Sequence, residues 1–330
     1  MKYEIVLRGS NGSDSVLYLP IIKDDIEWET ERKGSPGKLT FTVIKDNNIA
    51  FEEGAPVILK ADGKGIFYGF VFEKERDKEH HIKCTCYDQL RYFKNKTTLL
   101  YENKSASDLV KMLANDFKLV TGTIESTGHV IKQRDEDNQT IFDIILNALD
   151  ETLLNKGKMY VLYDDFGKIT LKNIESMKTN FVIDYETAEN FSYTSSIDKD
   201  TFNQVMVVVE SEKDKTTGKK KRTKYVDYDP KTQKWWGKLQ IVEKVEEGVN
   251  VANFAKMVLK AKNRKTRQLT IKNCIGDFSI RAGCSVHVHL NIGDIIVAQS
   301  LVCEKVTHYI TADHHSMDIT VWDANTFTGD

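Results

Sequence analysis

The residues of this chain best suited to chemistry are its cysteines and histidines, and several stand in close pairs. Cys84 and Cys86 are one residue apart, directly after His80 and His81, in HHIKCTCYDQLRYFKN. His287 and His289 show the same spacing in SVHVHLN. Pairs of this kind suggest a metal or redox site. A structural zinc needs about four ligands, usually as two spaced pairs, and no second cysteine pair exists. A Cys-x-Cys spacing puts both side chains on one face of a strand, because side chains alternate with a period of two. An inward apolar pair in a strand is therefore the expectation for Cys84 and Cys86. His80 and His81 fall in the charged run KERDKEHH and are expected in solvent. For His287 and His289, with only Asp294 and Cys284 as further candidate ligands, an exposed strand face is expected.

Other chemical signals are as weak. Asp165-Phe166-Gly167 spells the magnesium tripeptide of protein kinases, but no glycine-rich loop or catalytic-loop motif accompanies it, so a hairpin turn is expected. Asp135, Glu136 and Asp137 lie in a polar run before a helix and read as a solvated loop, where acidic residues also complement the helix dipole. No P-loop, GxSxG, HExxH or dinucleotide fingerprint is present. Catalytic, cofactor and metal residues are accordingly expected to be none. The residues expected at an interface are the basic cluster Lys219, Lys220, Lys221 and Arg222, and the pair Trp235 and Trp236, since tryptophan is enriched where surfaces meet.

The elements that must position these residues are mainly strands. LTFTVI (39–44), PVILKA (56–61), IFYGFVFEK (66–74) and HIKCTCY (81–87) are rich in β-branched and aromatic residues and are separated by turn signals such as ADGKG. From residue 89 the pattern changes. Ser105 or Ser107 caps a helix reaching about Phe117, and Thr140 caps a second that stops near Gly157. Residues 158–174 read as a hairpin. FNQVMVVVE (202–210) and KYVDY (224–228) pair around a polar tip, and Asn250 opens a helix with Phe254, Met257, Val258 and Ala261 on its apolar stripe. Residues 265–323 return to strands. The expected division is 1–90, a first tube-like β domain; 91–190, an α+β insert; and 191–330, a second tube-like β domain with helix 250–264 and hairpin extension 210–225.

Composition narrows the class. The 330 residues carry a formal net charge of −2, so no global field favours nucleic acid or an anionic membrane. Only 4 prolines and 19 glycines argue against long disordered linkers. The first residues alternate apolar and polar and lack the apolar core of a signal peptide. An odd number of cysteines, 5, suits reduced thiols rather than a disulfide framework.

The two β regions repeat each other. GAPV, VFEK and HHIKCTCYD in the first follow the same order as GCSV, VCEK and HHSMDITVWD in the second, each after a strand beginning Leu-Thr. Val71–Lys74 matches Val302–Lys305 at three of four positions. Ile82, Cys84, Cys86, Tyr87 and Asp88 fall opposite Met317, Ile319, Val321, Trp322 and Asp323. The fold class expected is mainly β with an α+β insert: two similar antiparallel β-barrel, tube-like domains in one chain.

GIFYGFVFEK followed by CYDQLRYF, the helix SASDLVKMLANDF, TFNQVMVVV, WWGKLQ before a helix, and the closing VTHYITADHHSMDITVWD together resemble phage tail baseplate hub proteins. The closest resemblance is to the XkdQ-type hubs of PBSX-like defective prophages and R-type bacteriocins; late-control D proteins and the central hubs of contractile phages are more distant. The resemblance covers nearly the whole chain. It implies a non-enzymatic homotrimer whose six tube-like domains form a pseudo-sixfold ring adapting a hexameric tail tube to a trimeric spike. It further implies the tail tube or tube-initiator protein, spike protein, tape measure protein and baseplate wedge proteins as partners, no cofactor, assembly in the bacterial cytoplasm, and release as part of the tail particle. A secreted or surface glycan-binding β protein is the alternative class.

Overall fold

The computed structural model describes residues 2–11, 14–46, 49–198, 200–210, 222–245, 248–291 and 296–322. The chain falls into two compact units, one of residues 1–192 with 270–322 and the other of residues 193–269. Strands dominate both.

The first unit opens with β1 (Tyr3–Asn11), β2 (Asp14–Tyr18), β3 (Ile22–Glu31), β4 (Lys38–Val43), β5 (Pro56–Ala61), β6 (Lys64–Arg76) and β7 (Ile82–Tyr87). Alternating burial along β4, β5 and β7 sends Leu39, Phe41, Val43, Val57, Leu59, Ile82, Cys84 and Cys86 into one core. The insert follows, with β8 (Lys96–Ser105), α1 (Ala106–Asp116), β9 (Thr121–Ile124), β10 (Val130–Thr140), α2 (Ile141–Lys156), β11 (Tyr160–Asp164) and β12 (Ile169–Asn173). Ser105 and Asp108 form a reciprocal capping box on α1, Thr140 caps α2, and Gly157 ends α2 in the left-handed conformation that glycine adopts without strain. The two helices and β11–β12 enclose their own core around Leu109, Ile141, Ile144, Ile145, Ile169 and Leu171.

Asp135, Glu136 and Asp137 do not form a loop. They lie within β10, antiparallel to β8, and Glu136 is buried against Arg134 and Asn147. The acidic run misleads because this two-stranded ribbon turns one face to solvent, so most of its residues are polar.

β13 (Lys178–Ile183) and β14 (Asn190–Ser196) lead towards the second unit, and β18 (Thr266–Ile275), β19 (Ser285–Asn291), β20 (Ile296–Ile310) and β21 (His315–Trp322) return from it. The sheet order now shows the repeat as topology. In the first copy it runs β3-β4-β7-β6-β5, and in the second β14-β18-β21-β20-β19. Each copy arranges its five strands, in chain order, as first, second, fifth, fourth, third; in the second copy β15–β17 intervene between the first strand, β14, and the second, β18. Both fourth strands carry a bulge at the same place, between Val71 and Glu73 in β6 and between Cys303 and Lys305 in β20. Cys86 pairs with Val71 as Val321 pairs with Cys303, and Thr85 with Glu73 as Thr320 with Lys305. The alignment of β7 with β21 is therefore the one expected from sequence. The match of Val71–Lys74 with Val302–Lys305 is one residue out: Val71 corresponds to Cys303, and Glu73 to Lys305.

The expected closed barrels are not formed among the described residues. Both copies are open and share one 13-stranded sheet, joined where β20 pairs antiparallel with β3 from Lys305↔Glu31 to Ile310↔Ile26. The reason is length. β20 outruns β19, which covers it only from Ile296 to Val302, and the remainder of that edge is taken by β3.

The second unit is a three-stranded sheet of β15 (Gln204–Glu210), β16 (Arg222–Tyr228) and β17 (Gln240–Val245), with α3 (Pro230–Trp236) and α4 (Val251–Lys262). β15 is central, antiparallel to β16 and parallel to β17. Val205, Val207 and Ala255 form its buried centre, with Phe254, Val258 and Leu259 packed around them. Met257, expected on that stripe, is exposed; the stripe runs through Ala255 and Leu259 instead.

Candidate assembly site

Residues 84–94 connect the two cores of the first unit. Cys84 and Cys86 end in the sheet core, whereas Leu90 and Phe93, on a 3-10 turn over Gln89–Lys94, enter the insert core. Between them lies a buried polar seam. Asp88 caps the turn by accepting from the Leu90 N–H at 2.9 Å, and its other oxygen accepts from the Gly37 N–H at 2.7 Å. A side chain at position 37 would put its Cβ 2.6 Å from that oxygen, so only glycine lets the backbone approach. Gln89 donates to Asp164 at 2.8 Å and to the Val120 carbonyl at 3.3 Å, and Asp164 accepts from the Gly167 N–H. Arg281 lays its guanidinium 4.0 Å from the Tyr163 ring centre and donates to the Asp164 carbonyl at 3.0 Å.

Burial, reinforced by Asp164, pushes the Asp88 carboxyl well above the usual carboxylate range; the Gly37 and Leu90 N–H groups and Arg281 pull the other way. Burial also raises Asp164, against its bonds to Gly167 and Gln89 and the charge of Arg281. Two carboxyl groups of raised pKa would suit acid–base catalysis in an open cleft. Here their oxygens are bonded to backbone and Gln89, and both residues are buried. The arrangement holds the sheet to the insert. A second bridge does the same work: the buried Arg32 donates to Glu304 at 2.6 and 3.2 Å and to the Met159 sulfur at 3.4 Å.

His308 sits at the β3–β20 junction, stacked on Trp28 with ring centres 4.7 Å apart. Its Nε2–H donates to the Ile280 carbonyl at 2.9 Å, which leaves Nδ1 to accept from His315 Nε2 at 3.0 Å. His315 stacks on Phe278 at 4.0 Å. Burial, then the nearby His315, lowers His308 to about 3, and burial lowers His315 to about 4. Both imidazoles are neutral at pH 7.

All five cysteines are buried and unpaired. Burial pushes Cys84 and Cys274 up to about 12, and Cys86, Cys284 and Cys303 upward as well. Thiolate is the reactive form, and a thiol at 12 is about one part in ten thousand ionised at pH 8. Ellman's reagent is therefore expected to find essentially no thiol in the folded chain and all 5 after denaturation. A thiol that titrates at once in the native state would contradict this packing.

His81 departs from expectation. His80 is exposed, but His81 is half-buried and bonds Asp77 at 2.8 Å. With Glu79 these make a trio whose candidate ligand atoms lie within 4.8 Å. Lys23 already stands 3.3 Å from His81 and 3.7 Å from Glu79, so a cation fills that position. His287 and His289 do face outward from β19; His287 bonds Ser300, and His289 lines an open recess with Asp184, Tyr185 and Asn291.

Of the residues expected at an interface, Lys219, Lys220 and Lys221 lie outside the described residues. Arg222 begins β16 on its exposed face. Trp235 is 81% exposed on α3, beneath the Lys234 ammonium, while Trp236 is half-buried. Sequence reasoning missed the seam, because Asp88, Asp164 and Arg281 are far apart along the chain, and it missed β3 and β14 as individual strands.

The fold assembled from these elements is shared, over nearly the whole chain, with prophage tail proteins. It superposes on the 43 kDa tail protein of prophage MuSo2 from Shewanella oneidensis with a TM-score of 0.71 and 12% identity, covering 98% of this chain and 99% of that one. It is also similar to the E. coli c3393 protein, a type VI secretion component described as resembling the T4 tail proteins gp27 and gp5 (TM-score 0.57, 10% identity, 98% of this chain and 77% of that one). The chain belongs to the YqbQ-like family, whose sequence model matches residues 26–322. It is 28% identical over 321 residues to the phage-like element PBSX protein XkdQ of Bacillus subtilis (strain 168), covering 94% of this chain and 95% of that protein. The resemblance drawn from CYDQLRYF and its companion motifs is thus borne out.

Proposed function

We propose that this chain is the structural hub of a contractile-tail baseplate, and not an enzyme. Three chains form a ring of six similar β modules that joins a hexameric tail tube to a trimeric spike. The observation that carries this reading is the doubled sheet, with the same strand order and the same bulge in each copy. A hexameric tube offers six equivalent contact sites and a trimeric spike offers three. A chain with two copies of one module satisfies both when three chains close into a ring by head-to-tail contacts. The buried carboxyls and histidines hold modules together rather than meeting a substrate. Tube, tube-initiator, tape-measure, spike and wedge proteins are the partners on this reading, and the site of assembly is the bacterial cytoplasm.

Light scattering on the purified chain, and stoichiometry of the protein in isolated tail particles, test the reading. Three copies per particle, with a trimer in solution or on mixing with the spike, are expected. A chain that is monomeric in solution and present in six or more copies per particle would overturn it.

A further inference from the structure

The junction inside the chain contains the pattern for a junction between chains. β20 continues past the end of β19, and its free edge, Lys305–Ile310, is covered by β3, the first strand of the other copy. β6 has the same construction. β5 covers it as far as Phe70, the Gly54 N–H and Ala55 carbonyl bond Val71, and beyond that point only β7 pairs with it. No described strand lies on the other edge of Glu73–Arg76. Exposure follows suit: Glu73, Glu75 and Arg76 are exposed, whereas Thr307 and His308, at the positions matching Glu75 and Arg76, are buried. β14, the counterpart of β3, ends the strand path with β18 as its only described neighbour. Among the described residues, each chain therefore presents one long-strand edge lacking its cover and one first strand lacking its partner. An unpaired strand edge is a template for pairing with another chain.

We infer that β14 of one subunit pairs antiparallel with Glu73–Arg76 of β6 in the next, repeating the β3–β20 junction between chains. The inference rests on the ring reading above and specifies the contact that closes it. The internal junction also fixes the register. Thr266 bonds the Ser196 carbonyl and the Ile275 N–H bonds the Thr187 carbonyl, which sets Tyr193 opposite Leu269 as Trp28 stands opposite Leu39. Transferring the pairs Lys305↔Glu31, Thr307↔Glu29 and His308↔Trp28 gives Glu73 opposite Ser196, Glu75 opposite Thr194 and Arg76 opposite Tyr193. The Trp28–His308 stack becomes an arginine over a tyrosine ring. The hydrogen bond from the Arg32 N–H to the Glu304 carbonyl marks which positions are bonded pairs, so Glu75 and Thr194 fall at a non-bonded position. There the side chains of an antiparallel pair come closest.

Disulfide trapping tests the register. The five native cysteines are buried and do not compete. The double variant Glu75→Cys with Thr194→Cys, oxidised in the trimer or in assembled particles, is expected to give a covalent ladder ending at three chains on a non-reducing gel. Mixed single variants should stop at two chains, and each single variant alone should give none. Glu73→Cys with Ser196→Cys is the second matched pair, should the first impair folding. Glu73→Cys with Thr194→Cys, out of register, is the control. A trimer in which neither matched pair cross-links, or in which the control cross-links as well, overturns the pairing and leaves the ring standing. Cross-linking from one single variant alone would mean like-with-like contact and also overturn it. Failure to find a trimer in solution or in particles removes the ring reading itself.

Discussion

Acidification from pH 6.5 to 4.5 should cost the folded chain about 2 kcal/mol through His308 alone. The imidazole is buried between Trp28 and the Ile280 carbonyl, and its pKa is lowered to about 3. Above the unfolded value of 6.5 the ring is neutral folded and unfolded, and it contributes no pH dependence. Below 6.5 the unfolded chain takes up a proton that the folded chain refuses, so stability falls progressively until the pH reaches the folded value. Protonation would also set a charge against His315, which donates to Nδ1. His315 works in the same direction with a smaller effect, being only partly buried. The raised Asp88 and Asp164 oppose the trend, since burial is less costly once they are protonated. The clean comparison is therefore between wild type and His308→Phe by urea unfolding at a series of pH values. At pH 7 the variant should be less stable by about 1–3 kcal/mol, because the Ile280 carbonyl and the His315 N–H lose their partner. Towards pH 4.5 the two curves should converge or cross. Parallel curves, or a His308 proton resonance that titrates near 6.5, would show the ring is not sealed as described.

His308 lies where the two copies join, so acid lability and copy-to-copy cohesion reside in the same side chains. Of the two covering strands, only β3 carries a tryptophan to stack on its neighbour's long strand. The proposed partner edge, Glu73–Arg76, is charged and tolerates solvent before assembly, as charged residues protect free strand edges generally. Lys305, by contrast, reaches Glu29 at 2.7 Å and Glu31 at 3.4 Å across the internal junction. The internal contact is thus built to be permanent and the external one to form late.

How far the sequence reveals this depends on the range of the forces involved. Ser105, Thr140 and Gly157 mark helix ends because caps act within four residues, and the structure places all three where the pattern does. Cys84 and Cys86 are legible as core from the period of a strand. The repeat is legible too, but its VFEK and VCEK match is displaced by one residue, because letters align without regard to a bulge that only pairing reveals. Closure of each copy is not legible for the same reason: alternation shows that a strand has an inner face but not which edge meets which strand. β3 hides in IKDDIEWETE, where Ile26, Trp28 and Thr30 alternate inward among acidic residues. β14, in NFSYTSS, has no buried residue, as fits a strand with β18 as its only described neighbour.

Replacement of Arg281 by methionine should destabilise the chain by about 3–5 kcal/mol at pH 8 and by much less at pH 5. Arg281 is the cation that offsets the charges of Asp88 and Asp164, and its head is sandwiched between the Tyr163 ring and the Asp164 carbonyl. Methionine keeps the buried length of the side chain and removes the charge. The two carboxyls, already raised by burial, would then rise further. At pH 8 ionisation of the pair goes uncompensated, and that cost falls on the folded state alone. As the pH drops, both carboxyls take up protons in the folded chain before they do so in the unfolded one, and the penalty fades. The wild-type contributions of His308 and of the carboxyl pair have opposite signs, but both variants gain on wild type as the pH falls, His308→Phe because it removes the acid-labile ring and Arg281→Met because its carboxyls become protonated. A second change separates charge from packing: Arg281→Lys keeps a cation but loses the planar contact with Tyr163, and should recover most of the loss at pH 8. If Arg281→Met loses the same stability at pH 5 as at pH 8, the seam is held by packing alone, and the buried carboxyl pair carries no charge for Arg281 to balance.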